Sequence, residues 1–229
     1  MMTAADALVI MTKVPAAGMS KTRLVPPLSF ADAAGLARAL LLDQLQNVAH
    51  FTAARLYVAF APGDMADEMR ALAPAEFRLF PQRGSDLGER MANAFADLIN
   101  AGFKRVVLIG SDLPPIALEI FTEAFESLTR ASPSVVLGPS ADGGYYLVGL
   151  NEPLPAIFDG ITWSHPDVLE RTRDRLFALR IPYKLLPSCY DIDTIDDLRR
   201  LALGAVPPSP DTMKNTSTFL RQLRLKGVL

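Results

Sequence analysis

The sequence contains one cysteine, one tryptophan and two histidines among its 229 residues. The single cysteine, Cys189, excludes an internal disulfide and any metal site built from several thiolates. His50 and His165 have no metal-ligand spacing, and no serine lies in a G-x-S-x-G nucleophile elbow. Zinc-dependent hydrolysis and Ser-His-Asp catalysis therefore have no support in the sequence, and the scarcity of thiols favours a reducing, cytoplasmic environment.

The sequence also lacks a strong net charge and a long apolar run. The formal net charge is −2, so no global field attracts nucleic acid or an anionic membrane, and any anion must be bound by a local cluster. No stretch reaches the roughly 18 uncharged apolar residues of a membrane helix. The N-terminal segment MMTAADALVIMTK has no basic region and too short an apolar run for a signal peptide. We therefore expect neither a membrane span nor a nucleic-acid partner.

Half of the residues are hydrophobic and 21% are charged, which is typical of a globular protein. Short apolar runs predict strands at residues 5–11, 56–60, 78–80, 106–109, 135–137, 145–150 and 183–186. Helical periodicity predicts helices after Ser29, over residues 64–72, 87–100, 118–128 and 167–179, and after Thr194. Strands alternating with helices predict an α/β fold, in which a mainly parallel sheet is covered on both faces. Such sheets bind ligands at the carboxyl ends of their strands.

Two helix starts and one break organise the chain further. Ser29 with Asp32, and Thr194 with Asp197, have the spacing of capping boxes. The stretch GAVPPSP interrupts the alternation near the end of the sequence. We therefore predict one domain over residues 1–204, with residues 205–229 as an arm or helix packed on it.

The stretch MTKVPAAGMSKTRLVPPL follows the first predicted strand and concentrates positive charge on a proline-rich turn. Lys13, Lys21 and Arg23 would present several cationic donors to a di- or triphosphate. A solvated basic loop is the alternative interpretation. The segment is not a P-loop, because Ser20 and Pro15 occupy the positions of the two glycines that this motif requires.

Carboxylates follow two other predicted strands. Asp112 comes directly after the apolar run in VVLIGSDLPP, where it would either ligate a divalent cation or cap the next helix. Asp191 and Asp193 lie two residues apart in CYDIDTIDDL, so both can point to one region if the backbone is extended. Capping by Thr194 explains neither of them.

Glycine and aromatic side chains mark a further candidate site. In SADGGYYLVGL, the pair Gly143-Gly144 after Asp142 would let the backbone approach a ligand closely, and Tyr145 could line a pocket. A plain hairpin turn explains the same residues. Trp163 in GITWSHPDVL would either line an acceptor pocket or pack in the core.

Six ordered stretches together resemble one known family: TKVPAAGMSKTRL, GSDLGERMANAF, VVLIGSDLPP, VVLGPSADGGYYLVGL, GITWSHPDVL and DIDTIDDL. They are similar to the DUF2064 family, also called the radical-SAM/selenodomain-associated transferase 1 family, of the nucleotide-diphospho-sugar transferase superfamily. The resemblance covers residues 5–203. It implies a GT-A fold, a Rossmann-like mainly parallel mixed sheet with helices on both faces.

The resemblance also implies roles for individual residues. It implies catalytic roles for Lys21, Arg23 and Asp112, and Mg²⁺ or Mn²⁺ held by Asp112 and Asp193, with Asp191 as the alternative second ligand. The implied nucleotide-binding residues are Lys13, Gly18, Lys21, Thr22, Arg23, Asp86, Leu87, Gly88, Arg90 and Ser111. The implied acceptor-binding residues are Asp142, Gly143, Gly144, Tyr145 and Trp163.

Two positions depart from the pattern of related enzymes. The D-x-D of glycosyltransferases is reduced to Asp112 between Ser111 and Leu113, and Ile195 replaces the proline that usually follows D-x-D-T. Isoleucine is acceptable at a first helical position, so the second change is harmless.

The resemblance implies a metal-dependent transferase. Because the KTRL and DID segments match nucleotidyltransferases, we predict nucleotidyl transfer from a nucleoside triphosphate to a small phosphorylated or carboxylate acceptor. The alternatives are a glycosyltransferase that uses a nucleotide sugar and a catalytically idle nucleotide-binding protein. The base, the acceptor, the choice of metal and the existence of a homo-oligomer stay open.

Overall fold

Seven strands form one sheet in the computed structural model, which describes residues 5–128, 134–203 and 212–228. The strands are β1 Asp6–Lys13, β2 Arg55–Ala61, β3 Arg78–Pro81, β4 Arg105–Gly110, β5 Val135–Pro139, β6 Tyr145–Leu150 and β7 Tyr183–Leu185. The helices are α1 Phe30–Ala49, α2 Ala66–Leu72, α3 Leu87–Asn100, α4 Leu118–Ser127, α5 Val168–Ala178, α6 Ile195–Ala202 and α7 Lys214–Leu225. Short 3₁₀ turns lie at Thr22–Leu24 and Pro155–Ile157.

The order of the strands brings the predicted ligand-binding segments to one edge. The order is β3-β2-β1-β4-β6-β5-β7, and only β6 runs antiparallel to its neighbours β4 and β5. The carboxyl ends of β1, β4, β5 and β7 therefore lie on the same side. The basic turn, the Asp112 loop, the β5–β6 turn and the segment after β7 all leave the sheet there.

Alternation along β1 explains why helices cover both faces. Leu8 and Ile10 belong to one buried cluster, and Ala7 and Val9 belong to another, because successive side chains of a strand point to opposite faces. Leu41 and Phe121 of α1 and α4 pack in the first cluster. Phe95 and Leu176 of α3 and α5 pack in the second. The predicted α/β fold is confirmed.

Local sequence signals predicted several element boundaries. The limits of α3 and β6 agree with the prediction, and Ser29 and Thr194 accept hydrogen bonds from the backbone as helix N-caps. β1 extends to Lys13 rather than to residue 11, because Thr12 and Lys13 continue the pairing with β2. No helix within the described ranges is long and apolar enough to cross a membrane.

A third buried cluster joins α7 to the region of the basic turn. Leu24 of the turn and Ile192 of the segment after β7 pack there with residues of α1, α6 and α7, which are Leu36, Leu40, Leu198, Leu201, Leu220 and Leu223. The proposed boundary at residues 204 and 205 and the stretch GAVPPSP lie outside the described residues. The division into a domain and an arm therefore stays a prediction.

A buried carboxylate fixes the start of α7. Asp43 of α1 is 1% exposed. Its Oδ1 accepts hydrogen bonds from the backbone N and Nδ2 of Asn215 at 2.9 and 2.8 Å, and its Oδ2 accepts one from the backbone N of Thr216 at 2.8 Å. An acid at this position satisfies free amides of the first helical turn and complements the helix dipole.

We expect Asp43→Ala to lower the free energy of unfolding by about 2–3 kcal/mol, because buried donors lose a charged acceptor. Urea denaturation followed by circular dichroism would measure the change, and hydrogen exchange would locate it in α7. Asp174→Ala, which removes an exposed carboxylate of α5, is the matched control. Equal stabilities of the two variants would contradict this role of Asp43.

Candidate active site

A cavity of about 600 Å³ opens at the carboxyl edge of the sheet. Its wall combines the basic turn after β1, the loop after β4, the β5–β6 turn, the segment after β7 and the start of α3. Among the predicted site residues, those that line it are Lys13, Lys21, Thr22, Arg23, Leu87, Arg90, Ser111, Asp112, Asp142, Gly144, Tyr145, Trp163, Asp191 and Asp193. The structure thus brings most of the predicted site together.

Lys21 lies at the centre of the charged part of the cavity. Its backbone has a left-handed conformation (φ 50°) directly before the 3₁₀ turn, and its side chain is only 3% exposed. Its Nζ is 3.2 Å from Oδ1 of Asp112, 3.0 Å from Oδ1 of Asp193 and 3.4 Å from the carbonyl oxygen of Asp112. Nη1 of Arg23 is 3.5 Å from Oδ2 of Asp193. The cations predicted to contact phosphates, Lys21 and Arg23, are therefore ion-paired with carboxylates predicted to bind a metal.

Backbone contacts hold these groups in place. The backbone N of Ile192 donates to the carbonyl oxygen of Asp112 at 2.9 Å, so the segment after β7 is tied to the loop after β4. Leu24 and Ile192, which are close in the chain to Arg23 and Asp193, are both buried in the third cluster. Ser111 donates through its hydroxyl to Oγ1 of Thr12 at 2.9 Å, which joins the ends of β1 and β4.

Neither Asp112 nor Asp193 is the N-cap of a helix. α4 begins at Leu118 after Ala117, several residues beyond Asp112. The N-cap of α6 is Thr194, which forms a capping box with Asp197. Asp112 and Asp193 have side chains that are 58% and 33% exposed and line the cavity. Both are thus available to a ligand.

Asp191 also lines the cavity but has different surroundings. Its Oδ2 accepts a hydrogen bond from Oγ of Ser140 at 2.7 Å. Burial raises the pKa of Asp191 to about 6, although the bond from Ser140 acts in the opposite direction. Lys21 forms its ion pairs with Asp112 and Asp193, so Asp193 belongs to the charged cluster and Asp191 lies beside it.

Of the four nucleotide-binding residues predicted at the start of α3, two line the cavity. Leu87 and Arg90 line it, whereas Asp86 is the N-cap of α3 and accepts from the backbone N of Glu89 at 2.9 Å. Gly88 lies beneath Trp163, where a Cβ would come within 2.6 Å of the indole ring. Gly88 therefore acts on the cavity by letting this ring pack closely.

Gly18 and Gly143 shape the backbone and are not part of the cavity wall. Gly18 has φ +79° within the basic turn. Gly143 has φ +90°, and a Cβ there would lie 1.9 Å from the carbonyl oxygen of Pro166. Asp142 accepts from the backbone N of Gly144 at 3.0 Å, so the hairpin alternative describes this turn correctly. The same turn nevertheless borders the cavity.

Aromatic rings form another part of the cavity wall. Trp163 meets Tyr145 edge to face, with ring centroids 6.4 Å apart and an interplanar angle of 89°. Both residues line the cavity. The two interpretations of Trp163 are therefore compatible, because the ring packs against neighbours on one side and faces the cavity on the other.

His165 is a cavity residue that the sequence did not single out as functional. Its Nδ1 lies 2.6 Å from Oδ1 of Asp167, and Nε of Arg171 donates to Oδ2 of the same carboxylate at 2.6 Å. The hydrogen bond from Arg171, followed by that with His165, holds the pKa of Asp167 below its usual range. A spacing of two residues between His165 and Asp167 matches no metal motif, so the sequence contains no local signal for this residue.

The charged cluster has the donor chemistry of a site for a hard cation. Three oxygen atoms, two from carboxylates and one from the backbone, surround the ammonium of Lys21. Within the described ranges, no group of three or more His, Cys, Asp or Glu could hold a metal ion. Two carboxylates fit Mg²⁺, which is often bound by one or two carboxylates together with substrate phosphates and water. The residues therefore fit a cation that is shared with phosphates.

The sheet order and the position of the cavity define the fold of the nucleotide-diphospho-sugar transferase superfamily. A solved structure from Desulfovibrio desulfuricans G20, provisionally named a nucleotide-diphospho-sugar transferase, is 32% identical, with a TM-score of 0.88 over 97% of this chain and 96% of that chain. The model of the family "Uncharacterized protein conserved in bacteria (DUF2064)" matches residues 44–165. The chain belongs to the DUF2064 family.

More distant structures share the fold. A cytidylyltransferase from Leptospira borgpetersenii serovar Hardjo-bovis is 14% identical, with a TM-score of 0.58 over 97% of this chain and 95% of that chain. A CMP:2-keto-3-deoxy-manno-octonic acid synthetase complexed with CTP is 10% identical, with a TM-score of 0.57 over 87% of this chain and 98% of that chain. A comparison with curated proteins found no significant match.

Proposed function

We propose that the protein transfers a nucleotidyl group from a nucleoside triphosphate to a small phosphorylated or carboxylate acceptor. The observation that carries this proposal is the meeting of Lys21, Asp112 and Asp193 at one side of a cavity. A reaction that releases a diphosphate develops negative charge on the leaving group. Cationic side chains and carboxylates that would bind a metal, placed together, would stabilise that charge.

The basic turn would stabilise the leaving group. An acceptor oxyanion attacks the α-phosphorus, the bond from that phosphorus to the bridging oxygen breaks, and pyrophosphate leaves with the electron pair. Lys13 at the end of β1, and Lys21 and Arg23 in the turn that follows, all line the cavity, so they would contact the phosphates together. Loss of one preorganised contact of this kind typically costs about 3 kcal/mol of barrier.

Asp112 and Asp193 would hold Mg²⁺ or Mn²⁺. When bound, the ion would neutralise phosphate charge during the transfer. Asp193 is favoured over Asp191 as the second ligand, because it shares a cation with Asp112 whereas Asp191 is bonded to Ser140.

The remaining wall would divide between the nucleotide and the acceptor. Thr22 and Ser111 would border the phosphates, and Leu87 and Arg90 would border the base or sugar, with Asp86 and Gly88 shaping that part of α3. The acceptor would lie toward the aromatic wall. The residues proposed there are Asp142, Gly144, Tyr145 and Trp163, with Gly143 shaping the turn that carries the first two, and we add His165 because it lines the same cavity.

The loop after β4 favours nucleotidyl transfer over glycosyl transfer, and the fold is compatible with it. The synthetase complexed with CTP and the cytidylyltransferase have the same fold as this chain. The loop after β4 has one aspartate, Asp112, where glycosyltransferases have D-x-D.

Mass spectrometry of reaction mixtures tests the proposal. The purified protein would be incubated with each nucleoside triphosphate, Mg²⁺ or Mn²⁺, and a panel of sugar phosphates, phosphorylated alcohols and sugar acids. We expect pyrophosphate and a nucleotidylated acceptor, both dependent on the metal. Release of a nucleoside diphosphate from nucleotide sugars would support glycosyl transfer instead. Nucleotide binding without any product would favour an idle nucleotide-binding protein.

A further inference from the structure

The ammonium of Lys21 occupies the place between the two carboxylates that a metal ion would take. We propose that Lys21 is an internal counter-ion, which excludes free divalent cations from Asp112 and Asp193 and yields only to a cation that arrives on a nucleotide. The proposal rests on the metal assignment of the proposed function. It adds an order to binding, in which the metal enters with the phosphates and not before them.

The ammonium of Lys21 contacts both Asp112 and Asp193. Nζ of Lys21 has oxygen atoms at 3.0, 3.2 and 3.4 Å, supplied by Asp193 and Asp112. The side chain of Lys21 is 3% exposed, whereas Asp112 is 58% exposed. The lysine therefore approaches the carboxylates from the protein side, and the open face of Asp112 remains directed to the cavity.

The charges of the cluster balance without any metal. Asp112 and Asp193 are matched by Lys21 and Arg23, which lies 3.5 Å from Asp193. A free divalent cation would have to displace a nearly buried ammonium from both of the carboxylates with which it forms ion pairs. A cation bound to a triphosphate brings negative charge with it, so the ammonium can move from the carboxylates to the phosphates and remain paired. The affinities for metal and nucleotide are thereby coupled.

The movement needs only the side chain. Lysine carries its charge on a flexible four-carbon stem, which can change partners without a change of backbone. The backbone around it is anchored, since Ser20 and Leu24 are buried and Leu24 packs in the third cluster. The exchange therefore requires no opening of the basic turn.

Titration with MnCl₂ alone tests the proposal. Electron paramagnetic resonance measures the concentration of free Mn²⁺ at each step. We expect weak binding by the wild-type protein and at least about tenfold tighter binding by Lys21→Met, which keeps an unbranched side chain one atom shorter than lysine and removes its charge. Lys21→Gln should behave in the same way. Asp112→Asn added to Lys21→Met should remove the gain. Lys184→Met is the matched control, because Lys184 pairs with Glu123 at 2.5 Å and does not line the cavity.

Unfolding temperatures give a second readout that needs no activity. Without Lys21 the two carboxylates lose their shared cation, so Mn²⁺ should raise the melting temperature of Lys21→Met more than that of the wild type. If the variant folds only when Mn²⁺ is added, the proposal is supported. If it fails to fold with Mn²⁺ as well, or binds Mn²⁺ no better than the wild type, the proposal is wrong.

The outcomes separate this inference from the proposed function. Tighter Mn²⁺ binding by Lys21→Met, with no nucleotide bound by either protein, would leave the internal counter-ion in place and overturn nucleotidyl transfer. Unchanged Mn²⁺ affinity with weakened nucleotide binding would make Lys21 a phosphate ligand only. The proposed function would then stand without the counter-ion.

Discussion

Asp112→Asn is expected to abolish metal-dependent turnover, with a loss of at least about 10²-fold and little change in melting temperature. Asparagine has the size of aspartate but no negative charge, so it removes the charge that a divalent cation requires. The side chain is 58% exposed and caps no helix, so the fold does not depend on it. Product formation with Mg²⁺ and Mn²⁺, measured beside thermal unfolding, checks the prediction.

Two companions to Asp112→Asn make the result specific. Asp193→Asn should lower turnover more than it lowers stability, because the α6 cap is formed by Thr194 and stays intact. Asp174→Asn, which changes an exposed carboxylate of α5 that does not line the cavity, should leave both unchanged. The metal assignment fails if wild-type turnover is independent of metal, or if Asp112→Asn unfolds the protein while Asp193→Asn keeps full activity.

Lys21→Ala is expected to weaken binding of a nucleoside triphosphate by roughly 10- to 100-fold, which corresponds to the loss of a hydrogen bond to a charged group. Lys21 is the lysine that lies closest to the carboxylates, with its ammonium 3.0 Å from Asp193. Isothermal titration with several nucleotides in the presence of Mg²⁺ measures the change.

Lys184→Ala is the control for this variant. It also removes a lysine from an ion pair, with Glu123, but at a position outside the cavity, so its nucleotide affinity should equal that of the wild type. Equal affinities of the two variants would mean that the basic turn is only a solvated loop, as the alternative interpretation of the sequence holds.

The elements that the sequence predicted best are those determined by nearby residues. α3 follows its apolar periodicity from Leu87 to Asn100, and Ser29 and Thr194 cap the helices that follow them. Capping and periodicity depend on side chains three or four residues apart, so they are visible in a short stretch. The GT-A fold could be predicted because six stretches, taken in order, resemble a known family.

The contacts within the site join residues that are far apart in the sequence, so local signals could not predict them. Lys21 and Asp193 are separated by 172 positions, and only the strand order brings them together. The residue types predicted a cation and a carboxylate, but nothing in the sequence indicates that the two pair with each other. His165 was missed for a related reason, because its importance comes from the cavity it faces and not from its neighbours in the chain.

The order of the strands also has a consequence for how the protein is made. The neighbours β3, β2, β1 and β4 form one continuous half of the sheet and are the first four strands to be translated. Domains generally fold as units. Lys21 and Asp112 emerge with this first half, but Asp193 and the third cluster that supports the basic turn arrive only with the last part of the chain. The complete charged cluster can therefore form only near the end of synthesis, after Asp193 has been added to the chain.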